Sequence, residues 1–399
     1  MRKNVVFIHL ESLNQAIYSH RQWFPCLNSI APHSLRFNNF ISSATSSFMA
    51  VSDLLHGDDD VLEHNVNFEV GLSIKRKAPS MFDQLRKAGY RTAGLGFPKN
   101  WASFDMIWSE NDPFRWYETS SEMLHHAEAI ISDRSQPFAL YIWNLSSHLC
   151  YQDGYKAAGD NSFVRWQRGY ESMDNTVGDI LRLLMNHKLM ESTTLVIFGD
   201  HGDDFWNHGL YGGFAHGIEP YTSLIHTPAF IYDSNYKAKD MNNLVSMIDL
   251  QKTVFEILNV PMTAEDNPSC FSAFSGDRKY CYSRNLFAAQ EGETQKTPLR
   301  KGYAITSELF HLLYVNGGYK MYAWQADGAN QFNLLECLKT SNGSVSIDYQ
   351  RLGAGRQAGP HPHIQYFLYP GCETLIMSQF EEMSELLQKW IAEKNSLLN

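Results

Sequence analysis

Lysine and arginine nowhere gather into a block in these 399 residues, and their total of 33 against 43 acids leaves a formal net charge of -10. Nucleic-acid backbones are bound through concentrated cations, so nucleic acid is excluded as the default partner. Long apolar runs are missing too. The opening MRKNVVFIHLES carries two cations, but its apolar stretch stops at Glu11, short of a secretory or membrane-spanning segment. The expectation is a cytoplasmic protein without a membrane span. Six cysteines (Cys26, Cys150, Cys270, Cys281, Cys337, Cys372) include no CxxC pair, which argues against a zinc knuckle or a dense disulfide framework. Hydrophobic residues make up 44% and charged ones 19%, ample for a buried core and unlike a disordered chain.

Short buried strands stand out: NVVFIHL (4 to 10), FALYIWNL (138 to 145) and TTLVIFG (193 to 199), each nearly continuously apolar, with TAGLG (92 to 96) as a fourth. Helical spacing fills the stretches 78 to 90 and 165 to 189 between them. The alternation predicts an α/β fold, a doubly wound, mostly parallel sheet flanked by helices, with ligand sites beyond the carboxyl ends of the strands. Composition changes near residue 262, where later segments alternate like a small antiparallel sheet and 378 to 395 reads as an amphipathic helix. A core over 1–261 and a smaller C-terminal subdomain over 262–399 are therefore expected.

Three polar residues, Glu11, His148 and Asp200, closely follow apolar strands. His201 adjoins Asp200, and an oxygen ligand beside an imidazole suits a divalent metal such as zinc or manganese. The sixteen histidines point the same way. In SATSSFMAVSDLLHG (43 to 57), three hydroxyls, Thr45, Ser46 and Ser47, precede a helical run; they suit a helix cap or a nucleophile. The run HGDDDVLEH (56 to 64) reads as a solvated acidic turn, and the 13% of aromatic residues as core and pocket wall.

The order of these motifs resembles the sulfatase-like branch of the alkaline phosphatase superfamily. NVVFIHLES is similar to its opening strand and metal-binding acid, FPCLNSIAPHSLRFNNFISSATSS to the approach to its nucleophile, and SMFDQLRKAGYRTAGLG to the helix and strand that follow. PFALYIWNLSSHLCY, FGDHGDDFWNHG, HTPAFIY and SMIDLQKTVFEILNVP continue the likeness to residue 261. The resemblance implies a nucleophile ten residues before the glycine that ends its helix, which is Ser47 counted back from Gly57. Thr45 is the second candidate, because relatives that transfer phosphoethanolamine or phosphoglycerol use threonine. It further implies one divalent metal held by Glu11, Ser47, Asp200 and His201, zinc or manganese first, with magnesium or calcium admitted. His148 and His216 would contact substrate or serve the leaving group, and His208 would contact substrate. Asp204 and His208 have a metal-ligand spacing but follow the Asp-His pair, so a second metal is not expected.

Two departures shape the functional expectation. Ser47 is followed by Phe48, Met49, Ala50 and Val51 instead of the Pro and Arg pattern from which sulfatases make formylglycine, and no Arg or Lys lies near it in sequence. The opening strand ends in a single acid, as in the phosphoethanolamine and phosphoglycerol transferases. The reading is a metal-dependent hydrolase or transferase acting on a phosphate ester or phosphodiester of a small molecule, glycan or lipid headgroup, without formylglycine. Its rivals are a sulfuric ester hydrolase on a sulfated sugar or aryl ester, and a catalytically inactive relative that binds a ligand.

Overall fold

Asn4–Leu10, Phe138–Asn144 and Thr193–Gly199 are strands in which every residue is buried, as apolar runs covered on both faces require. The structure is a computed structural model that describes residues 2–59, 62–64, 72–74, 79–99, 105–109, 111–148, 162–205, 207–208, 216–262, 269–285, 302–341, 344–348 and 371–397. In chain order its strands are β1 (Asn4–Leu10), β2 (Leu35–Ile41), β3 (Leu62–His64), β4 (Leu72–Ile74), β5 (Arg91–Phe97), β6 (Arg115–Trp116), β7 (Phe138–Asn144) and β8 (Thr193–Gly199). There follow β9 (Ala229–Tyr232), β10 (Lys239–Ser246), β11 (Cys281–Asn285), β12 (Gly302–Thr306), β13 (His311–Val315), β14 (Gly318–Tyr322), β15 (Leu338–Ser341) and β16 (Ser344–Ile347).

Among the described residues the main sheet has eight strands in the order β10-β2-β9-β8-β1-β7-β5-β6. It is parallel except for β9, which runs antiparallel to both β8 and β2. Alternate side chains of β1 serve opposite faces. Val5 and Phe7 join a core with the helices Ser47–His56, Met81–Lys87 and Asp249–Leu258, whereas Val6 and Ile8 pack with Pro25–Ile30, Ser120–Ser132 and Ser162–Asn186.

Strands β11-β12-β13-β14 form a four-stranded antiparallel sheet, and the helix Cys372–Leu397 packs beside it. Ile376, Met383 and Leu387 of that helix share one apolar cluster with Leu312 of β13 and Phe7 of β1. No helix among the described residues is long and apolar enough to cross a membrane.

The acidic turn differs from its sequence reading. Asp59 is buried and accepts hydrogen bonds from Lys394 Nζ at 2.6 Å and Trp390 Nε1 at 3.1 Å, because the C-terminal helix covers it. Asp60 of the same run and Cys150 lie outside the described residues.

Candidate active site

Strands β8, β1 and β7 are neighbours in the sheet, so residues leaving their carboxyl ends meet. Glu11 follows β1, and Asp200 and His201 follow β8; all three are fully buried. Ser12 takes a left-handed backbone (φ 54), which is costly for a residue with a side chain and persists only where surroundings impose it. Here its N–H donates to Asp200 Oδ1 at 2.9 Å while its carbonyl accepts from the Tyr170 hydroxyl at 3.1 Å. Gly202 closes the turn after His201 with its N–H on Leu224 O at 2.7 Å; a Cβ there would stand 2.3 Å from Ser223 O.

The helix Ser47–His56 brings the hydroxyls to this point. Ser46 holds the N-cap position with an extended backbone (φ -148, ψ 147), but its side chain makes no capping hydrogen bond. Ser47 Oγ donates to Glu11 Oε1 at 2.9 Å and lies 3.0 Å from His201 Nε2. Thr45 Oγ1 instead donates to Ile218 O at 2.9 Å. Of the three hydroxyls, Ser47 is the one joined to the acids and imidazoles, and it stands where unpaired helical N–H groups and the helix dipole favour an anion.

Glu11 and Asp200 are two carboxylates buried side by side. Burial first, and then the Asp200 charge, push the Glu11 carboxyl up to about 8, against His216, Ser47 and Trp143. Burial works in the same direction on Asp200 but is outweighed by His201, His9 and the Ser12 N–H, which hold it below the usual range. His201 is depressed by burial despite the Asp200 charge. Two acids facing an imidazole that favours its neutral form make a pocket suited to a cation.

Several of the donor spacings are near those of a four-coordinate metal site. Ligand bonds of about 2.0–2.2 Å in a tetrahedron place ligand atoms roughly 3.3–3.6 Å apart. Ser47 Oγ to Glu11 Oε1 is 2.9 Å, Ser47 Oγ to His201 Nε2 3.0 Å, His201 Nε2 to Asp200 Oδ2 3.4 Å and His201 Nε2 to Glu11 Oε1 3.7 Å. Asp200 Oδ2 accepts no well-directed hydrogen bond among the described residues. His9, absent from the sequence expectation, lies 3.1 Å from that oxygen and 3.8 Å from Glu11 Oε2, and His9, Glu11 and Asp200 together could also hold an ion. Its sequence signal was the spacing His9-x-Glu11, which places both on one face of an extended chain.

The remaining histidines divide into two groups. His216 Nδ1 is 2.9 Å from Asp203 Oδ1, its ring is 4.7 Å from that of His201, and the half-buried His148 ring lies 5.4 Å beyond. Burial opposes protonation of His216, but the Asp203 hydrogen bond and charge, with Glu11 and Asp200, raise its proton affinity; burial and the neighbouring His216 push His148 down to about 3. His208 is elsewhere: its Nδ1 meets Asp204 Oδ1 at 2.6 Å, its ring stacks on Tyr221 with centroids 3.5 Å apart, and Ser223 also bonds Asp204. Asp203, not singled out in sequence, is the partner that sets His216.

Residues 3–260 match the family described as Sulfatase. No curated protein sequence matches the chain. Among solved structures it is similar to BT1596, a 2-O GAG sulfatase, with TM-score 0.68 and 14% identity over 84% of this chain and 88% of that one. It is similar also to BT4656, solved with D-glucosamine-2-N,6-O-disulfate as its substrate, at TM-score 0.63 and 12% identity over 99% of each chain. The lipoteichoic acid synthase LtaP from Listeria monocytogenes gives TM-score 0.59 and 15% identity over 81% of this chain and 85% of that one. With a family match running through the main sheet and a fold shared by sulfatases and by LtaP, the chain belongs to the sulfatase family of the alkaline phosphatase superfamily.

Proposed function

We propose that this sulfatase-family protein cleaves or transfers a phosphate ester through the Ser47 hydroxyl. The observation that carries the reading is the placement of Ser47 Oγ at a helix N-terminus between Glu11 Oε1 and His201 Nε2. Glu11, Asp200, His201 and Ser47 itself would hold one divalent metal, zinc or manganese by donor chemistry. Such an ion, when bound, favours the ionised hydroxyl and offsets negative charge on a substrate oxygen. Ser47 Oγ then bonds to phosphorus as the bond to the leaving oxygen breaks, with the helix N-terminus stabilising the developing charge. His216, protonated through Asp203, gives its proton to the leaving oxygen, and His148 contacts a non-bridging oxygen. Water or an acceptor hydroxyl takes the phosphoryl group from Ser47 in the second half.

Phosphate is favoured over sulfate by the residues themselves. Phe48, Met49, Ala50 and Val51 offer no formylglycine pattern, and an unmodified serine can accept and pass on a phosphoryl group. The second reading, a sulfuric ester hydrolase on a sulfated sugar, is what the family description and the glycan sulfatases among the similar structures favour.

Turnover of p-nitrophenyl phosphate, bis-p-nitrophenyl phosphate and p-nitrophenyl sulfate, with zinc or manganese, separates these readings in the wild type, Ser47→Ala and Thr45→Ala. The expected result is phosphate-ester turnover that falls at least about a thousandfold in Ser47→Ala and stays near wild type in Thr45→Ala. Turnover of the sulfate ester alone establishes the second reading; loss in Thr45→Ala with Ser47→Ala active moves the nucleophile to Thr45.

A further inference from the structure

Beneath the two acids lies a tier of rings that the proposed chemistry does not use. Sheet register sets Trp143 of β7 and Phe198 of β8 opposite His9 of β1, one on either side. The three rings stack across the strands: His9 to Trp143 with centroids 4.5 Å apart at 17°, and His9 to Phe198 at 5.3 Å and 13°. Such a sandwich leaves the imidazole little freedom to turn.

Each nitrogen-bearing ring directs a nitrogen at one acid. An indole can only donate, and Trp143 Nε1 donates to Glu11 Oε2 at 2.9 Å, so Oε2 is held from behind while Oε1 meets Ser47. For His9 the tautomer follows from its other nitrogen. Tyr141 is fully buried and its hydroxyl lies 2.9 Å from His9 Nδ1, with no other hydrogen-bond partner among the described residues. A buried hydroxyl proton without an acceptor is costly, so Tyr141 donates to Nδ1 and the imidazole proton sits on Nε2. That nitrogen stands 3.1 Å from Asp200 Oδ2, off the line of a well-directed hydrogen bond, and the same oxygen lies 3.4 Å from His201 Nε2.

We infer that Trp143 and His9 are positioning residues: the Trp143 N–H holds the Glu11 carboxylate by its hydrogen bond, the His9 N–H close to Asp200 Oδ2 draws that carboxylate into the orientation that receives a divalent cation, and His9 presents an N–H to Asp200 instead of serving as a metal ligand. The inference rests on the proposal that Glu11, Asp200 and His201 hold a metal. Donors behind metal-binding carboxylates govern affinity because without them the acids must be ordered at the moment of binding.

The test is zinc and manganese affinity of the whole chain without any ester, by competition with a chromophoric chelator, in the wild type, Trp143→Phe, His9→Phe and His9→Gln. The phenylalanine variants keep a ring in the stack and lose the N–H, and metal-free melting temperatures identify any variant that fails to fold. Affinity is expected to fall about 10 to 100-fold in Trp143→Phe and His9→Phe, and to recover to within about threefold in His9→Gln, whose amide supplies an N–H. Wild-type affinity in folded Trp143→Phe and His9→Phe overturns the positioning role while leaving the metal reading intact. A wild-type protein that binds neither ion overturns the metal reading and this inference with it. A cobalt(II) absorption band that shifts in His9→Gln, with affinity as weak as in His9→Phe, overturns the donor assignment by making His9 a ligand.

Discussion

Asp203 Oδ1 lies 2.9 Å from His216 Nδ1, and this hydrogen bond and the Asp203 charge, together with Glu11 and Asp200, outweigh the burial that otherwise disfavours the His216 imidazolium. If His216 protonates the leaving oxygen, Asp203→Asn lowers turnover most for esters whose leaving alcohol needs a proton. A loss of about 100-fold is expected for an alkyl phosphate and far less for p-nitrophenyl phosphate, because general acid catalysis matters little to a good leaving group. Equal losses on both substrates contradict the assignment. At this scale the sequence was readable wherever a residue leaves a strand or starts a helix. Glu11, Asp200 and His201 follow apolar runs, and Ser47 lies ten residues before Gly57. Trp143 was not readable, since it sits inside an apolar run and takes meaning only from which strand lies beside it, and the His9-x-Glu11 spacing marks a shared face without showing which ring His9 meets. Their pairing is a matter of register between β1 and β7, which no single segment encodes.

The helix Ser47–His56 is buried along its whole length, so what fixes its start must be backbone geometry and packing, not a solvent-facing cap. Its end is fixed by Gly57, left-handed at φ 61, whose N–H bonds Asp53 O. A Cβ at Gly57 would come within 2.4 Å of Gln251 Oε1, an atom held on the neighbouring helix where Gln251 Nε2 donates to Leu55 O at 2.9 Å. Gly57→Ala therefore adds a steric conflict to the left-handed penalty and is expected to cost about 1–3 kcal/mol, read as a lowered denaturation midpoint. An unchanged midpoint would show that the helix end can relax without loss. Apolar runs revealed strands β1, β5, β7 and β8 to within a residue or so, because burial on both faces leaves no polar alternation. Strand direction was not legible: HTPAFIY reads as another buried strand, yet β9 is antiparallel to both neighbours. Hydrophobicity records that a strand is covered, not which way it runs.

Across the whole molecule, the C-terminal sheet reaches back to the helix that carries Ser47. Arg284 of β11 pairs with Asp53 through two bonds of 2.7 and 2.9 Å, Ser43 Oγ adds a third to Asp53 at 2.6 Å, and the Arg284 N–H donates to Ser43 O. Sequence distance hid this cation, which lies 237 positions after Ser47 by numbering (284 less 47). Both partners are buried, and burial keeps the Asp53 carboxyl raised even against Arg284, so the pair's main effect is on the placement of the helix and less on net stability. Arg284→Met leaves a buried acid alone and should cost about 3–5 kcal/mol by chemical denaturation, with much of that recovered in Arg284→Met combined with Asp53→Leu. If the double variant is no more stable than the single, the loss arises from packing and not from the stranded charge.

Everything in the proposed chemistry depends on an unmodified hydroxyl at position 47. The most direct measurement is the mass of the Ser47 peptide, from resting protein and from protein quenched during turnover of a phosphate ester with metal. An unmodified serine at rest and a phosphorylated Ser47 during turnover are expected. A formylglycine at position 47, or a phosphoryl group found on Thr45 instead, contradicts the proposed chemistry.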